Sequence, residues 1–141
     1  MEGYKTRSLG LDIGDKRIGV ALSDPDGILA TPLTIIDRMD DKQDIETIIN
    51  IISQYQVKQI IVGLPRSMDG SLGKQAEKVS TFAQKLCRYT KVPVEFRDER
   101  LTTVSAKRLM QTVKKTRKRK TKVRDDAIAA ALILQGYLDE G

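Results

Sequence analysis

Acidic residues stand at three places in the sequence where a carboxylate could do chemistry. The chain has no histidine and one cysteine, which excludes Ser–His–Asp and Cys–His catalysis and most zinc sites. Clustered carboxylates would instead hold Mg²⁺ or Mn²⁺, hard ions that prefer oxygen ligands and that in pairs support phosphodiester hydrolysis. The candidate acids are Asp12, Asp98 or Glu99, and Asp125 or Asp126.

Asp12 lies in a stretch that alternates as two half-buried strands around a tight turn. One face of this hairpin is apolar, and the opposite face carries very small side chains apart from Asp12. Glycine in a strand indicates a close approach to the backbone. A bare face with one carboxylate favours a charged ligand or a metal over a packed core; the alternative is an exposed Asp near a turn. The apolar face holds Leu9, Leu11, Ile13, Ile18, Val20 and Leu22; the other holds Ser8, Gly10, Asp12, Gly19, Ala21 and Ser23.

The other acids have ordinary alternatives as helix caps. Asp98 or Glu99 could cap a helix that starts near Thr102 or Thr103, and the acids of the last helix could do the same. Asp126, however, shares a helical face with apolar residues and is expected to face the sheet, where a carboxylate needs a cation. That face holds Ala129, Ala130, Ile133 and Leu134.

Positive charge is concentrated in one segment. The net charge is +6, yet residues 114–124 (KKTRKRKTKVR) hold eight Lys/Arg and no acid, which leaves 17 basic and 19 acidic residues elsewhere. Such a run attracts phosphate backbones, although it could also be a solvated, disordered loop. The few aromatic residues offer no evident base-stacking platform. Together with the acids, this segment indicates a nuclease.

The hydrophobic pattern predicts an α/β fold: three antiparallel strands, then alternating helices and strands, in a mixed sheet with helices on both faces. Pro32 favours an edge position or a bulge in the third strand, and QIIVG is typical of a buried parallel strand. Ligand sites of such sheets gather at the carboxyl ends of strands. We predict strands at 8–13, 17–23, 28–36, 59–63 and 92–98, and helices at 41–55, 72–89, from about 102, and at 125–138.

The length of 141 residues predicts a single domain over 1–141 that is long enough to bury a core. No stretch approaches the roughly 18–20 apolar residues of a membrane span, and the first residues lack a signal-peptide pattern. We therefore expect a cytoplasmic protein without a membrane partner. Cys87, in apolar helical surroundings, is expected to be a small core residue.

Four ordered motifs resemble the pre-16S rRNA nuclease family of bacteria, also described as Holliday-junction-resolvase-like. They are LDIGDKRIGVALSD, IIVGLPRSMDGS, DERLTT and DDAIAAALILQGYL, and they span nearly the whole chain. The resemblance implies a ribonuclease-H-like fold with a five-stranded mixed sheet. It also implies a metal-dependent nuclease that trims the 5′ end of the small-subunit rRNA precursor.

Carried over residue by residue, the family's acidic triad falls on Asp12, Glu99 and Asp126, as ligands of Mg²⁺ or Mn²⁺. The family motif decides between Asp98 and Glu99, which the face pattern leaves open. The resemblance places Ser67 where the family often has Asn. It further implies phosphate contacts, and with the basic segment the expected substrate-binding residues are Lys16, Arg17, Arg66, Arg100, Lys118, Arg119 and Lys120.

Three other functions compete with rRNA processing. A Holliday junction resolvase would use the same fold and metals on four-way DNA and should be a dimer, because it cuts two symmetric strands. A sugar-kinase or actin-type ATPase shares the DxG hairpin but needs two lobes. A non-catalytic nucleic-acid-binding or transcription factor could keep the fold. The sequence leaves monomer and homodimer open.

Overall fold

The computed structural model describes residues 7–65, 73–98 and 123–140, with the side chains of the last range described from Ala127 onward. Every predicted element within these ranges is present, with ends shifted by at most two residues. The strands are β1 (Arg7–Ile13), β2 (Arg17–Ser23), β3 (Ala30–Asp37), β4 (Val57–Leu64) and β5 (Val94–Asp98), and the helices are α1 (Asp41–Tyr55), α2 (Lys74–Cys87) and α3 (Val123–Glu140).

The strands form one sheet in the order β3-β2-β1-β4-β5. β1, β2 and β3 pair antiparallel, whereas β4 pairs parallel with both β1 and β5. The carboxyl ends of β1, β4 and β5 therefore meet at one edge, called here the carboxyl edge. Pro32 lies in the outer strand β3 beside a register shift between Val20 and Ala21, so the prediction of an edge position or a bulge is confirmed.

One face of the sheet packs against α1 and α2. The apolar side of the β1–β2 hairpin lies in this cluster, together with Ile45, Ile48 and Ile52 of α1. α1 begins where the sequence predicts because Asp40 caps it: its carboxylate accepts a hydrogen bond of 2.8 Å from the Gln43 amide. The predicted helical spacing of the isoleucines is thus the packing face of α1.

The other face packs against α3, and this corrects the expectation that the small-residue face awaits a ligand. A Cβ on Gly10 would lie 2.8 Å from Leu134 Cβ and 2.9 Å from the Ala130 carbonyl oxygen. Ala21 and Ile61 are fully buried in the same cluster. The small side chains are needed because a helix lies directly on the strand backbone.

Two further features concern the helices. Cys87 is exposed at the last position of α2, so the expectation that it belongs to the core is wrong. The buried face of α2 runs through Val79, Ala83 and Leu86 and leaves Cys87 to one side. The helix expected from about residue 102 lies outside the described ranges. Among the helices that the structure describes, none is long and apolar enough to cross a membrane.

Candidate active site at the carboxyl edge

Asp12 is the next-to-last residue of β1 and stands opposite Gly19 of β2. Its side chain is half-buried. Strand alternation puts it on the same face as Gly10, which is the face that α3 covers. The carboxylate therefore lies at the carboxyl edge, on the α3 side of the sheet, and the neighbouring Gly19 presents no side chain beside it.

The contacts of α3 show which way this helix runs over the sheet. Leu134 lies over Gly10 in the middle of β1. The next residue, Gln135, accepts a 2.9 Å hydrogen bond from the Ala30 amide at the start of β3. Ala30 pairs with the carboxyl end of β2, which is hydrogen-bonded in turn to Ser8 near the start of β1. α3 thus advances toward the amino end of β1, and its first turn lies toward the carboxyl edge.

Asp126 belongs to that first turn. It precedes Ala130 and Leu134 by one and two helical turns, and both of these residues lie over Gly10. The sequence expectation that this line of residues faces the sheet is confirmed for Ala130 and Leu134, which are buried. Only the backbone of Asp125 and Asp126 is described.

β5 brings its final residue, Asp98, to the same edge, with β4 between it and β1. Two strand spacings separate β1 from β5, about 10 Å. Asp98 pairs with Leu64, which belongs to the cluster on the α1 and α2 face. Arg97, one residue earlier, contacts α3. Alternate residues of β5 therefore face opposite sides, and Asp98 lies on the side away from Asp12.

Of the remaining predicted site residues, two lie within the described ranges and six lie outside them. Lys16 and Arg17 are exposed, in the β1–β2 turn and at the first position of β2. The structure therefore places Asp12, Lys16 and Arg17 at one end of one hairpin. Within the described ranges, no three Asp, Glu, His or Cys residues lie together as a metal site. The predicted residues that lie outside those ranges are Glu99, Arg100, Arg66, Lys118, Arg119 and Lys120.

The sequence reasoning missed Arg38, which connects the β1–β2 turn to the helices. Its guanidinium donates to the Gly14 carbonyl oxygen at 2.8 Å and to Asp44 at 2.7 Å, and it lies 4.9 Å from the centre of the Phe82 ring. It also donates to Asp41 at 2.9 Å. Gly14 follows Asp12 by two residues, so Arg38 fixes the turn beside the acid. The sequence RMDDKQD, in which three aspartates follow this arginine, could have indicated an ion-paired arginine at the start of α1.

A cleft of about 580 Å³ lies between this turn and helices α1 and α2. Its charged groups include two ion pairs, Lys78 with Asp15 at 3.4 Å and Arg38 with Asp41 at 2.9 Å. A hydrogen bond from Lys85, assisted by the charge of Arg38, holds the pKa of Asp41 below its usual range. The cleft lies on the α1 and α2 side of the sheet, so it is separate from the face that carries Asp12.

The sequence reasoning also missed Arg97. It is 8% exposed, and its Nη1 lies 2.6 Å from Glu140 Oε1 on α3. The hydrogen bond from Arg97 holds the pKa of Glu140 below its usual range. An arginine inside a predicted strand, one position before the acids at its end, was the signal in the sequence.

A family model described as RuvX, Holliday junction resolvase, matches residues 6–140. Among curated relatives, a protein of Thermoanaerobacter pseudethanolicus is 48% identical over 133 residues, which cover 94% of this chain and 96% of the relative. A protein of Moorella thermoacetica is 49% identical over 133 residues, with 94% of both chains covered. Both carry the name "Putative pre-16S rRNA nuclease".

Solved structures show the same fold. The T. thermophilus RuvC in complex with Holliday junction substrate has a TM-score of 0.68 at 12% identity, with 96% of both chains covered. The fowlpox virus resolvase in complex with Holliday junction DNA has a TM-score of 0.58 at 14% identity, covering 96% of this chain and 98% of that one. The ribonuclease-H-like fold expected from the sequence motifs is confirmed.

Proposed function

We propose that this chain, which belongs to the RuvX family, is a metal-dependent nuclease that hydrolyses phosphodiester bonds of precursor 16S rRNA near its 5′ end. The observation that carries the proposal is the position of Asp12, a half-buried carboxylate at the carboxyl edge on the face over which α3 begins. The relatives that are 46–49% identical over nearly the whole chain support rRNA processing through their names.

Asp12, Glu99 and Asp126 form the proposed catalytic and metal-binding set. Asp12 is the next-to-last residue of β1, Glu99 directly follows β5 in the sequence, and Asp126 belongs to the first turn of α3. These positions support the proposal that the three acids meet at the carboxyl edge. The family motif selects Glu99 over Asp98, and the structure supports this choice because Arg97 faces α3 while Asp98 faces the side away from Asp12.

The donor set fits a hard divalent cation. Carboxylate oxygens are the ligands that Mg²⁺ and Mn²⁺ prefer, and all three proposed ligands are carboxylates. Bound there, the metal would supply a nucleophilic water and stabilise the leaving oxygen. The chain's own part is to hold the carboxylates in place, since β1 is fixed in the centre of the sheet and α3 is packed directly upon it.

Positive side chains would bind the substrate backbone beside these acids. Lys16 and Arg17 are exposed at the end of the hairpin that carries Asp12. Arg66 and Arg100 follow β4 and β5 in the sequence and are proposed to contact phosphates from the same edge. Lys118, Arg119 and Lys120 are proposed to add a sequence-independent attraction that falls as salt rises.

A Holliday junction resolvase is the second candidate. It is favoured by the description of the family model and by the RuvC fold. Such an enzyme must cut two symmetric strands and so should act as a dimer. The alternatives give opposite results on two substrates: rRNA processing predicts cleavage of the precursor, whereas resolution predicts paired cuts in a four-way DNA junction.

The test incubates the purified full chain with precursor 16S rRNA or with a four-way DNA junction, in Mn²⁺ or Mg²⁺. Asp12→Asn should lower precursor cleavage by about 100-fold or more, because the metal's contribution is several kcal/mol. Asp26→Asn is the matched control, since Asp26 is an exposed acid in the turn after β2, at the opposite edge. Equal cleavage by the wild type and Asp12→Asn would refute the proposal, and preference for the junction would favour the resolvase.

A further inference from the structure

The turn that joins β1 to β2 is held by groups outside the hairpin, chiefly by Arg38. The Nη1 atom of this residue donates to the Gly14 carbonyl oxygen at 2.8 Å. Its backbone amide donates to the Lys16 carbonyl oxygen at 2.9 Å. These two oxygens flank Asp15, so a single residue holds the turn on both sides of its tip.

Arg38 is itself fixed by the helices. Nε donates to Asp44 at 2.7 Å, and Nη2 donates to Asp41 at 2.9 Å, both on α1. The guanidinium carbon lies 4.9 Å from the centre of the Phe82 ring on α2. All three guanidinium nitrogens are thus engaged, two with α1 and one with the turn. A planar fork can make these contacts together, whereas the single ammonium group of a lysine cannot.

α2 adds two weaker contacts to the same turn. Gln75 Nε2 lies 3.4 Å from the Ile13 carbonyl oxygen. Lys78 Nζ lies 3.4 Å from Asp15 Oδ1, and both side chains of this pair are 63% exposed. Long hydrogen bonds and exposed ion pairs contribute little to stability. The position of the turn relative to the helices therefore depends mainly on Arg38.

The positive side chains of the turn extend away from this anchor. Lys16 and Arg17 are both exposed. Ile18 packs in the cluster beneath α1 and α2, so strand alternation puts Arg17 on the α3 side, which is also the side of Asp12. Arg38 thus holds the turn from one side of the sheet, and Arg17 extends from the other. The backbone that Arg38 fixes determines where these two cations stand.

We propose that Arg38 is a positioning residue for nucleic-acid binding: by fixing the carbonyl oxygens of Gly14 and Lys16, it holds Lys16 and Arg17 in place for the phosphates of the substrate. This inference rests on the proposed function, because that proposal assigns the two cations to the substrate backbone. Arg38 acts through the turn, since its own guanidinium is engaged and its side chain is 20% exposed. A turn that is already ordered avoids the entropy cost of fixing it when the substrate binds.

The experiment measures binding of the full chain to a fluorescent single-stranded RNA with the 5′ sequence of precursor 16S rRNA, by anisotropy. EDTA is present, so that neither metal binding nor cleavage contributes, and circular dichroism checks that each variant is folded. Arg38→Met removes the donors of the anchor. Gly14→Ala keeps Arg38 and shifts the turn, because the new Cβ would lie 2.8 Å from the Arg17 carbonyl oxygen. A double variant, Lys16→Ala with Arg17→Ala, removes the two cations.

Ile52→Ala is the control for lost stability. Ile52 is 8% exposed and belongs to the last turn of α1. That end of α1 lies near the start of β1, where the Arg7 guanidinium is 5.8 Å from the centre of the Tyr55 ring. The substitution therefore weakens the core at the opposite edge of the sheet from the turn. Its dissociation constant for the RNA should equal that of the wild type.

Arg38→Met and Gly14→Ala should each raise the dissociation constant of the RNA about tenfold, roughly the cost of ordering one residue of backbone. In the double variant that lacks Lys16 and Arg17, neither substitution should have a further effect, because a positioning residue acts through groups that are then absent. Wild-type affinity in either single variant, or an undiminished loss in the double-variant background, would overturn the inference.

The double variant alone separates this inference from the proposed function. If it binds the RNA as tightly as the wild type, the phosphate contacts of Lys16 and Arg17 are refuted and the role of Arg38 with them. Metal-dependent cleavage is judged separately, by the comparison of the wild type with Asp12→Asn.

Discussion

Replacing Gly10 by alanine should separate α3 from β1. The new Cβ would meet Leu134 Cβ at 2.8 Å and the Ala130 carbonyl oxygen at 2.9 Å, where ordinary contact begins at 3.4 Å. The helix must therefore retreat by roughly 0.6 Å, because one of the two atoms belongs to its backbone. Overpacking of this kind costs about 1–3 kcal/mol, which corresponds to a fall in melting temperature of roughly 3–10 °C.

The same displacement should weaken the metal site, because α3 carries Asp126 away from Asp12. We expect Gly10→Ala to raise the dissociation constant of Mn²⁺ about tenfold, by analogy with other losses of ligand orientation. Ile48→Val is the matched control: it is fully buried on the opposite face of the sheet, and the substitution costs about 1 kcal/mol. Equal Mn²⁺ affinity in the two variants, or a Gly10→Ala protein as stable as the wild type, would refute the reasoning.

Three further predictions concern the scaffold. Arg38→Met should lower the free energy of unfolding in urea by about 3 kcal/mol, since it leaves the carboxylate of Asp44 buried without this guanidinium; an unchanged urea midpoint would contradict this. Amide hydrogen bonds, first that of Ile28, hold the pKa of Asp24 below its usual range. The stability that this carboxylate contributes is thus complete above about pH 4 and is lost as the pH falls through the lower pKa of the folded state. Asp24→Asn should therefore reduce the fall of the urea unfolding midpoint between pH 5 and pH 2. An equal fall in the variant and the wild type would contradict the assignment. Cys87 should react with a thiol reagent in the native state at nearly the rate seen in urea; strong native protection would contradict its exposure.

The secondary structure and the sheet could be predicted because local signals agreed with the final packing. The alternation of the β1–β2 hairpin and the spacing of the isoleucines in α1 each mark a real packing face. Asp40 supplied the cap, so α1 has the predicted ends. Pro32 in β3 marked an edge for the reason that its backbone lacks a donor.

The two predictions that were wrong concern what a residue packs against in the folded chain. The small residues around Gly10 correctly indicated a close approach, but strand periodicity does not distinguish a ligand from a helix that arrives about 120 residues later. Cys87 has apolar neighbours in the sequence, yet its exposure depends on its angle around α2 at the end of that helix.

The site was predictable in part. The position of Asp12 at the end of a strand follows from local pattern, and the motifs of the family selected Glu99 and Asp126, which stay predictions. The contacts of Arg97 could not be recognised from its own segment, because they are made with Gly136 and Glu140, which belong to another element. Long-range contacts of this kind have no periodicity in the sequence.

Mn²⁺ binding to three single variants tests the central claim most directly. Asp12→Asn, Glu99→Gln and Asp126→Asn each remove one negative charge with little change in shape. If the three acids share one site, each variant should bind Mn²⁺ more than about tenfold more weakly than the wild type, while Asp26→Asn binds as the wild type does. Wild-type Mn²⁺ affinity in any one of the three would contradict the account.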